Sequence, residues 1–368
     1  MISVFGSLVG KEEIEEISSS IENQWMGLGP KVSRFESEFS SRLGLSGLVM
    51  VDCGTNALYL AIKTLGIPPG RELIMPAFTW IGCAQAVMLN GLVPVFCDVD
   101  LDSQNVTAQT ISRYISSKTA AIMVVHYAGK PVAMEEVMAL GFPVIEDAAH
   151  AVDSKRNGRY CGNLGTIGIY SFDAVKNLAT PEGGGITSQN PEYLELAREL
   201  RYCGIAKSGF EAKDTSKKRW WQYQVRDICP KMLPNDIVAS VGLAQLRRLD
   251  SNQRYREKIW RFYQQEFASV GWLCRPVDAA ENEQHSYFTY TIRVLNQRRD
   301  DLARYLLERG IYTTLRYEPL HLIPIYKSHS KLPISEQLNE EALSIPLHPR
   351  LTENEVQYIV DSIKSFPG

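Results

Sequence analysis

The sequence predicts an α/β protein: a large, mostly parallel sheet covered by helices on both faces, followed by a smaller α+β domain. Three observations carry that prediction. From about residue 46 to 190, short β-branched runs alternate with helical patterns, the rhythm of βαβ units. After about residue 236 that rhythm stops and a long helical stretch begins. The chain has 368 residues, more than one typical core organises. We therefore expect a large α/β domain over 1–236, with an N-terminal helical segment, and a smaller domain over 237–368, entered through the long helix.

Taken in order, "GLVMVDC" is a buried strand, and "TNALYLAIKTLG" a helix with Leu58, Ile62 and Leu65 on one face. Strands follow at "LIMPAF", "VPVFCDVD", "AAIMVVHYAG", "FPVIEDAA" and "TIGIYSF". "PVAMEEVMAL" is a helix whose Pro131 suits the first turn, where a missing N–H costs nothing. Residues 207–224, rich in Lys, Trp and polar side chains, are expected to form a long functional loop. Beyond 236, Tyr255, Ile259, Phe262 and Phe267 recur at helical spacing and point to core packing. A strand ("YFTYTIRVL"), a helix ("DDLARYLLERG") and a second strand ("IYTTLRY") come next. The last helix opens with a Thr352-x-x-Glu355 capping box ahead of Val356, Ile359 and Ile363.

Composition removes several function classes. Hydrophobic residues make up 45% and charged residues 22%, values of an ordinary globular chain. A net charge of -3 offers no electrostatic footprint for nucleic acid or an anionic membrane. The N-terminus has no basic region of a signal peptide, and no run is long enough to span a bilayer. Seven scattered cysteines, an odd number without a CxxC pair, point to free thiols in a reducing cytoplasm and to no zinc site. The six histidines show no metal-ligand spacing. "CGNLGTIG" is not GxGxxG and does not join a strand to a helix, which leaves little for a dinucleotide fold.

Chemistry concentrates at the predicted C-terminal ends of strands, where open α/β sheets bind ligands. Lys176 lies just beyond "TIGIYSF", in "SFDAVKNLATPEGGG", and Asp147 ends "FPVIED". "CGTN", residues 53–56, closes a strand and opens a helix, so its N–H groups can hold an anion. Trp80 follows a fourth strand in "MPAFTW". A lysine, a carboxylate, an anion cradle and a large aromatic are the parts that pyridoxal phosphate requires. Its aldehyde condenses with an amine, its ring nitrogen needs a carboxylate to stay protonated, its phosphate suits a helix N-terminus and its ring an aromatic face. Singly these features are weak; together, in this chain order, they are specific.

With those residues in place, the chain resembles the DegT/DnrJ/StrS-type family of pyridoxal-phosphate sugar aminotransferases. The likeness runs from about residue 1 to 365 through "GLGPKVSRFE", "GTNALYLAIKTLGI", "MPAFTW", "PVFCDVD", "FPVIEDAAHA", the block around Lys176, "GLAQLRRLD" and "SIPLHPRLTENEV". It implies an aspartate-aminotransferase-like fold (fold type I), a cytoplasmic homodimer and a cofactor cycling between pyridoxal and pyridoxamine phosphate. It also implies glutamate as amino donor and a nucleotide-linked 3- or 4-keto sugar as acceptor, for surface polysaccharide (lipopolysaccharide or O-antigen) or other amino-sugar synthesis. By the resemblance, Lys176 is the Schiff-base lysine and Asp147 the partner of the pyridinium nitrogen. Trp80 stacks on the ring, Gly54, Thr55 and the adjoining Asn56 form the phosphate turn, and Ser171 supplies a phosphate-binding hydroxyl. His150 stands where relatives often carry Gln against the phenolic oxygen; unlike Gln, histidine titrates near neutrality.

One segment departs from the family pattern. Where many relatives read Gly-Tyr-Asn-Tyr-Arg or Gly-Tyr-Lys-Tyr-Asn, this chain has "CPKML", residues 229–233. Lys231 keeps the position that reaches a neighbouring subunit's phosphate; the Gly-Tyr and the trailing polar residue are lost. Among the histidines, His126 is expected to be a satisfied packing residue and His329 a surface one. His285, His321 and His348 fall in landmark segments, with His321 expected near the active-site mouth. Two rival readings are weighed. A sugar dehydratase of the same family carries histidine where Lys176 stands. A regulatory or binding protein on the same scaffold would have lost the lysine or carboxylate, or gained a basic DNA-reading element.

Overall fold

In the computed structural model the described residues are 1–207 and 222–367. Most of the expected loop at 207–224 therefore lies outside the described residues. The chain opens with helices α1 (Lys11–Glu22) and α2 (Pro30–Leu43). α2 starts where Pro30 fits the first turn and stops at Gly44, whose φ of 58° is the left-handed cap that glycine tolerates. Its buried face is Val32, Phe35, Phe39 and Leu43, spaced at three and four residues.

The sheet then assembles from β1 (Val49–Val51), β2 (Glu72–Pro76), β3 (Val93–Cys97), β4 (Thr119–Val125) and β5 (Val144–Asp147). A small hairpin, β6 (Lys155–Arg156) and β7 (Arg159–Tyr160), precedes β8 (Ile167–Ser171) and β9 (Gly184–Thr187). Strand order is β1-β9-β8-β5-β4-β2-β3. The pairs from β8 to β3 are parallel, whereas β9 runs antiparallel to both β1 and β8. Apart from the first three residues of edge strand β3 and the small β6–β7 hairpin, nearly every residue of these strands is buried, as expected of a sheet covered on both faces. Connecting helices include α3 (Gly54–Thr64), α4 (Ile81–Leu89), α5 (Ala108–Ser112), α6 (Met134–Met138) and α7 (Pro191–Leu200). α6 is shorter than the sequence predicts: Pro131 lies before its cap at Ala133, because Val132 N–H donates to the His126 ring instead of opening a helix.

β9 is the strand of the large sheet that sequence reasoning missed, and it explains the three glycines after Lys176. Gly184 pairs with Val51 on one side and Ser171 on the other. A Cβ built on it would stand 2.5 Å from the Cys53 carbonyl oxygen. The glycines let a strand pass between β1 and β8; they do not cradle phosphate. Gly184→Ala is therefore expected to destabilise the fold by about 1–3 kcal/mol, the usual penalty of overpacking, read as a lower urea midpoint. An unchanged midpoint would contradict this packing account.

Past two short strands, β10 (Ile205–Lys207) and β11 (Gln224–Val225), comes the long helix α8 (Asp236–Glu266). Asn235 caps it by accepting from Val238 N–H. Its first half packs Ala239, Leu243, Leu246 and Leu249 against α2 and the sheet. Its second half sends Ile259, Trp260 and Tyr263 into another core. That core is shared by β12 (Leu273–Cys274), β14 (Tyr290–Val294), β15 (Ala342–Ile345), α9 (Arg299–Glu308) and α11 (Glu353–Lys364). β13 (Glu283–Gln284) pairs back with β6, and α10 (Pro333–Glu341) leads into β15. The Thr352/Glu355 capping box forms as expected. "IYTTLRY" does not form the expected strand. It makes only isolated bridges, Ile2 with Ile311 and Thr314 with Ser344, and the sheet takes β15 from "ALSI" instead.

Candidate active site

A cavity of about 860 Å³ opens at the C-terminal ends of β5 and β8. Of the nine predicted cofactor residues, Gly54, Thr55, Trp80, Asp147, His150, Ser171 and Lys176 line it. Asn56 and Lys231 do not. The Asn56 amide donates to Asp52 Oδ1 at 2.8 Å and braces the start of α3, a task the sequence does not separate from ligand binding. Lys231 is exposed and bridges to Tyr202.

Lys176 sits on the β8–β9 connection, which is tied down on both sides. Its own N–H donates to the Asp173 carbonyl at 2.9 Å, and the Asn177 amide donates to Gln253 Oε1 and to the Ser286 carbonyl. Thr180 closes the loop through N–H and hydroxyl bonds to the Phe172 carbonyl. The Lys176 ammonium lies 4.9 Å from the centre of the Phe288 ring. Burial and the neighbouring Arg316 cation push its pKa down from 10.5 to about 8, while Asp147 and Asp173 pull it back up. An amine so placed loses its proton more than two pH units earlier than an exposed lysine.

Asp147 ends β5 and is buried. It accepts from Ala149 N–H at 2.9 Å and from the Cys83 thiol at 3.2 Å. Burial raises its pKa above the ordinary value, against the pull of those donors and of Lys176 and His126. Burial also holds the Cys83 thiol well above its usual range, so it stays protonated and donates. His150 stacks on Phe288 with centroids 4.1 Å apart, and its Nε2 meets the Tyr317 hydroxyl at 3.3 Å. Burial, with Lys176 and Arg316 adding to it, pushes this histidine well below its ordinary pKa. The titration allowed at that position by sequence is thus suppressed, and the ring is a neutral hydrogen-bonding group.

Across the cavity, Cys53 caps α3, and Gly54 and Thr55 form its first turn. A Cβ on Gly54 would stand 2.7 Å from the Ser171 Cβ, so helix start and strand end meet only because that residue is glycine. Free N–H groups and two hydroxyls thereby share one corner. Trp80, at the cap of α4, keeps 49% of its surface open and leans toward Tyr317 at 5.5 Å.

These residues fit pyridoxal phosphate. The donor set has an amine of lowered pKa, a buried carboxylate, an open aromatic face and an anion-binding helix start. His150 Nδ1 is a buried polar atom with no protein partner among the described residues, as a site built for a polar ring would leave it. The sequence did not flag Phe5, Asp173, Glu182, Arg316 and Tyr317, which also line the cavity. Phe5, Arg316 and Tyr317 come from segments without a local motif, whereas Asp173 and Glu182 lie in the block around Lys176, where the lysine drew the attention.

The other histidines behave as follows. His126 is fully buried, bonded to Glu146 at 2.9 Å and accepting from Val132 N–H, so it is a satisfied packing residue. His329 is exposed. His321 is not at the cavity mouth: it is buried beside α10, with Glu336 at 3.3 Å.

A sequence model of the DegT/DnrJ/EryC1/StrS aminotransferase family matches residues 8–364. A dTDP-4-dehydro-2,3,6-trideoxy-D-glucose 4-aminotransferase of Saccharopolyspora spinosa is 36% identical, covering 99% of this chain and 96% of that protein. Among solved structures, the aminotransferase TlmJ from Streptoalloteichus hindustanus superposes with a TM-score of 0.93 at 36% identity, covering 99% and 98% of the two chains. The pyridoxamine-phosphate (PMP) form of the putative sugar aminotransferase Spr1654 from Streptococcus pneumoniae gives 0.93 at 27% identity, over 99% and 98%.

Proposed function

The chain belongs to the DegT/DnrJ/EryC1/StrS aminotransferase family and is a pyridoxal-phosphate-dependent sugar aminotransferase; we propose that it aminates C4 of a nucleotide-linked keto sugar, with glutamate as donor. The observation that carries the reading is the meeting of Lys176 and Asp147 in one cavity with an open aromatic and a helix start. C4 is favoured because the Saccharopolyspora spinosa relative is named as a 4-aminotransferase of a dTDP-sugar. Lys176 itself argues against the dehydratase reading, since that chemistry has histidine in its place.

Each residue then has a task. The first turn of α3, with Thr55 and Ser171, holds the phosphate group. Trp80 covers one ring face, and His150 donates or accepts at the phenolic oxygen without changing charge. Asp147 holds a proton on the ring nitrogen. When bound, the cofactor supplies an electron sink that stabilises negative charge at the substrate carbon. Lys176, its pKa lowered to about 8, takes a proton from the donor's α-carbon in one half-reaction and delivers one to the sugar carbon in the other.

The working form we propose is a homodimer with shared sites. Among the described residues Lys176 and Arg316 are the only cations lining the cavity, whereas Asp52, Asp147, Asp173 and Glu182 all line it. A doubly charged phosphate at the α3 start therefore meets few counter-charges among the described residues of its own chain. Lys231 of the partner subunit would supply one, in keeping with its exposed place outside its own cavity. An exposed apolar run near the N-terminus, including Val9, Ile14, Trp25 and Met26, gives such a dimer a surface to bury.

The test is a panel of dTDP- and UDP-linked 3- and 4-keto sugars offered to purified protein with L-glutamate. The expected product is a 4-amino sugar together with 2-oxoglutarate. Amination of 3-keto sugars alone would overturn the C4 assignment, and no amine transfer to any keto sugar would overturn the whole reading.

A further inference from the structure

A second cavity, of about 470 Å³, lies between the middle of α8, the chain around β13 and the turn from β5 to β6, and shares no lining residue with the first. Five carboxylates line it, Asp153, Asp250, Glu257, Asp278 and Glu283, against two guanidiniums, Arg254 and Arg261. Four of the five are well paired. Glu283 meets Lys130 at 2.8 Å and Arg156 at 2.5 Å, Glu257 and Asp278 meet Arg261 at 2.8 and 3.1 Å, and Asp250 meets Arg42 at 2.5 Å. Asp153 is 7% exposed, and its one ion-pair contact among the described residues is Arg42 at 3.5 Å. Burial lifts its pKa to about 6, with Asp250 adding to the rise and Arg42, Lys155 and the Gln284 amide opposing it. On the same wall His285 is 5% exposed. Its Nδ1 accepts from Tyr287 N–H at 2.8 Å, so Nε2 carries the ring hydrogen, and that donor has no partner among the described residues. Burial pushes this histidine down to about 3, which keeps the ring neutral. An acidic cluster alone is a solvated face. A buried donor left open beside a buried, weakly paired carboxylate is costly unless a polar ligand meets both.

We propose that this cavity is a regulatory site for an unphosphorylated amino sugar, its ammonium on Asp153 and a hydroxyl accepting from His285 Nε2–H. The choice of an amino sugar among amines rests on the transaminase reading above, whose product carries that group. Charge and size supply the rest. Five carboxylates against two guanidiniums attract a cation and repel a pyrophosphate, so the nucleotide-linked form is excluded and the sugar freed of its nucleotide is not. The volume lies in the lower part of the range of small-molecule sites and suits one sugar ring. The cavity also has a direct connection to the active site. Gln253, which lines it, accepts from the Asn177 amide at 3.0 Å and donates to the Ser286 carbonyl at 3.0 Å. Asn177 follows Lys176 in the chain, and the Ser286 hydroxyl donates to the His150 carbonyl at 2.6 Å. One buried amide thus ties the wall of the second cavity to the lysine and the histidine of the first.

Calorimetry on the cofactor-loaded enzyme is the test, with D-glucosamine, D-glucose and spermidine as probes. Glucose lacks the ammonium and spermidine lacks the ring. Glucosamine is expected to bind once per chain with a Kd on the order of 1 mM, and the other two at least about tenfold more weakly. Asp153→Asn should weaken glucosamine by at least about tenfold, while its glutamate half-reaction without glucosamine stays within about twofold of the wild type. Binding to the wild type should also fade as pH drops through about 6, where Asp153 takes up its proton, and binding to the Asn variant should not. Saturating glucosamine should change the wild-type glutamate half-reaction rate by at least about twofold and leave that of the variant unaltered. Asp278→Asn, at a more open position of the same wall, serves if the Asp153 variant fails to fold. No saturable glucosamine binding, or binding that neither variant weakens, would overturn the site. Spermidine binding tighter than glucosamine would overturn the sugar, and binding without a change in rate would overturn the regulatory role. A wild type that binds glucosamine here but transfers no amine would instead overturn the transaminase reading.

Discussion

Lys176→Ala is expected to abolish amine transfer, with kcat reduced on the order of 10³-fold or more, because the group proposed to carry the proton is removed. The cofactor should still bind, through the α3 start, Ser171 and Trp80, but it should leave on dialysis. In the wild type, borohydride reduction followed by peptide mapping should place the cofactor's mass on the peptide containing Lys176. In the variant no peptide should carry it. The pH dependence gives an independent check. Burial and Arg316 lower the Lys176 pKa to about 8, so its neutral fraction grows as pH rises toward that value and levels off above it. Cofactor capture by the apoprotein should follow that curve, whereas an unperturbed lysine would go on gaining up to about pH 10.5. Cofactor mass on another lysine would remove Lys176 from this role.

Much of this site was legible because strand ends obey a rule. In a parallel sheet the residues after each strand gather at one edge, so Lys176 and Asp147 had to be neighbours once their strands were recognised. What escaped depended on contacts between distant segments. Three glycines in "EGGGITS" speak against a strand, and only the Cys53 carbonyl beside Gly184 shows why a strand there needs them. "IYTTLRY" has the composition of a strand but runs through the cavity wall, where Thr314 and Arg316 serve as lining. "ALSI" follows α10 with no turn residue between, so nothing local marks where helix becomes strand. Asn56 went the other way. Beside a phosphate turn it looked like a ligand, yet its amide was already committed to Asp52. Phe5 and Arg316 come from chain segments more than 300 residues apart, and only tertiary structure puts them in contact.

Asp147→Asn isolates charge from shape, and it is expected to keep the cofactor while losing at least about 10²-fold in the glutamate half-reaction. The amide is nearly isosteric with the carboxylate. Its oxygen can still accept from Ala149 N–H, so the end of β5 and the loop behind it should keep their path. What the amide lacks is a full negative charge facing the cavity. In the wild type that charge is buried, with Ala149 N–H and the Cys83 thiol as its hydrogen-bond donors, and its raised pKa reflects the cost of leaving it without a cation. On the proposed reading a protonated ring nitrogen would repay that cost, and the carboxylate would in turn keep the proton there. A neutral amide would not hold a proton on that nitrogen, so the bound cofactor would supply a weaker electron sink and Lys176 would have to remove the substrate proton with less help. Cofactor content per subunit, read by absorbance after gel filtration, should match the wild type while single-turnover rates with glutamate collapse. Wild-type rates in the variant would show that Asp147 only shapes the end of its strand.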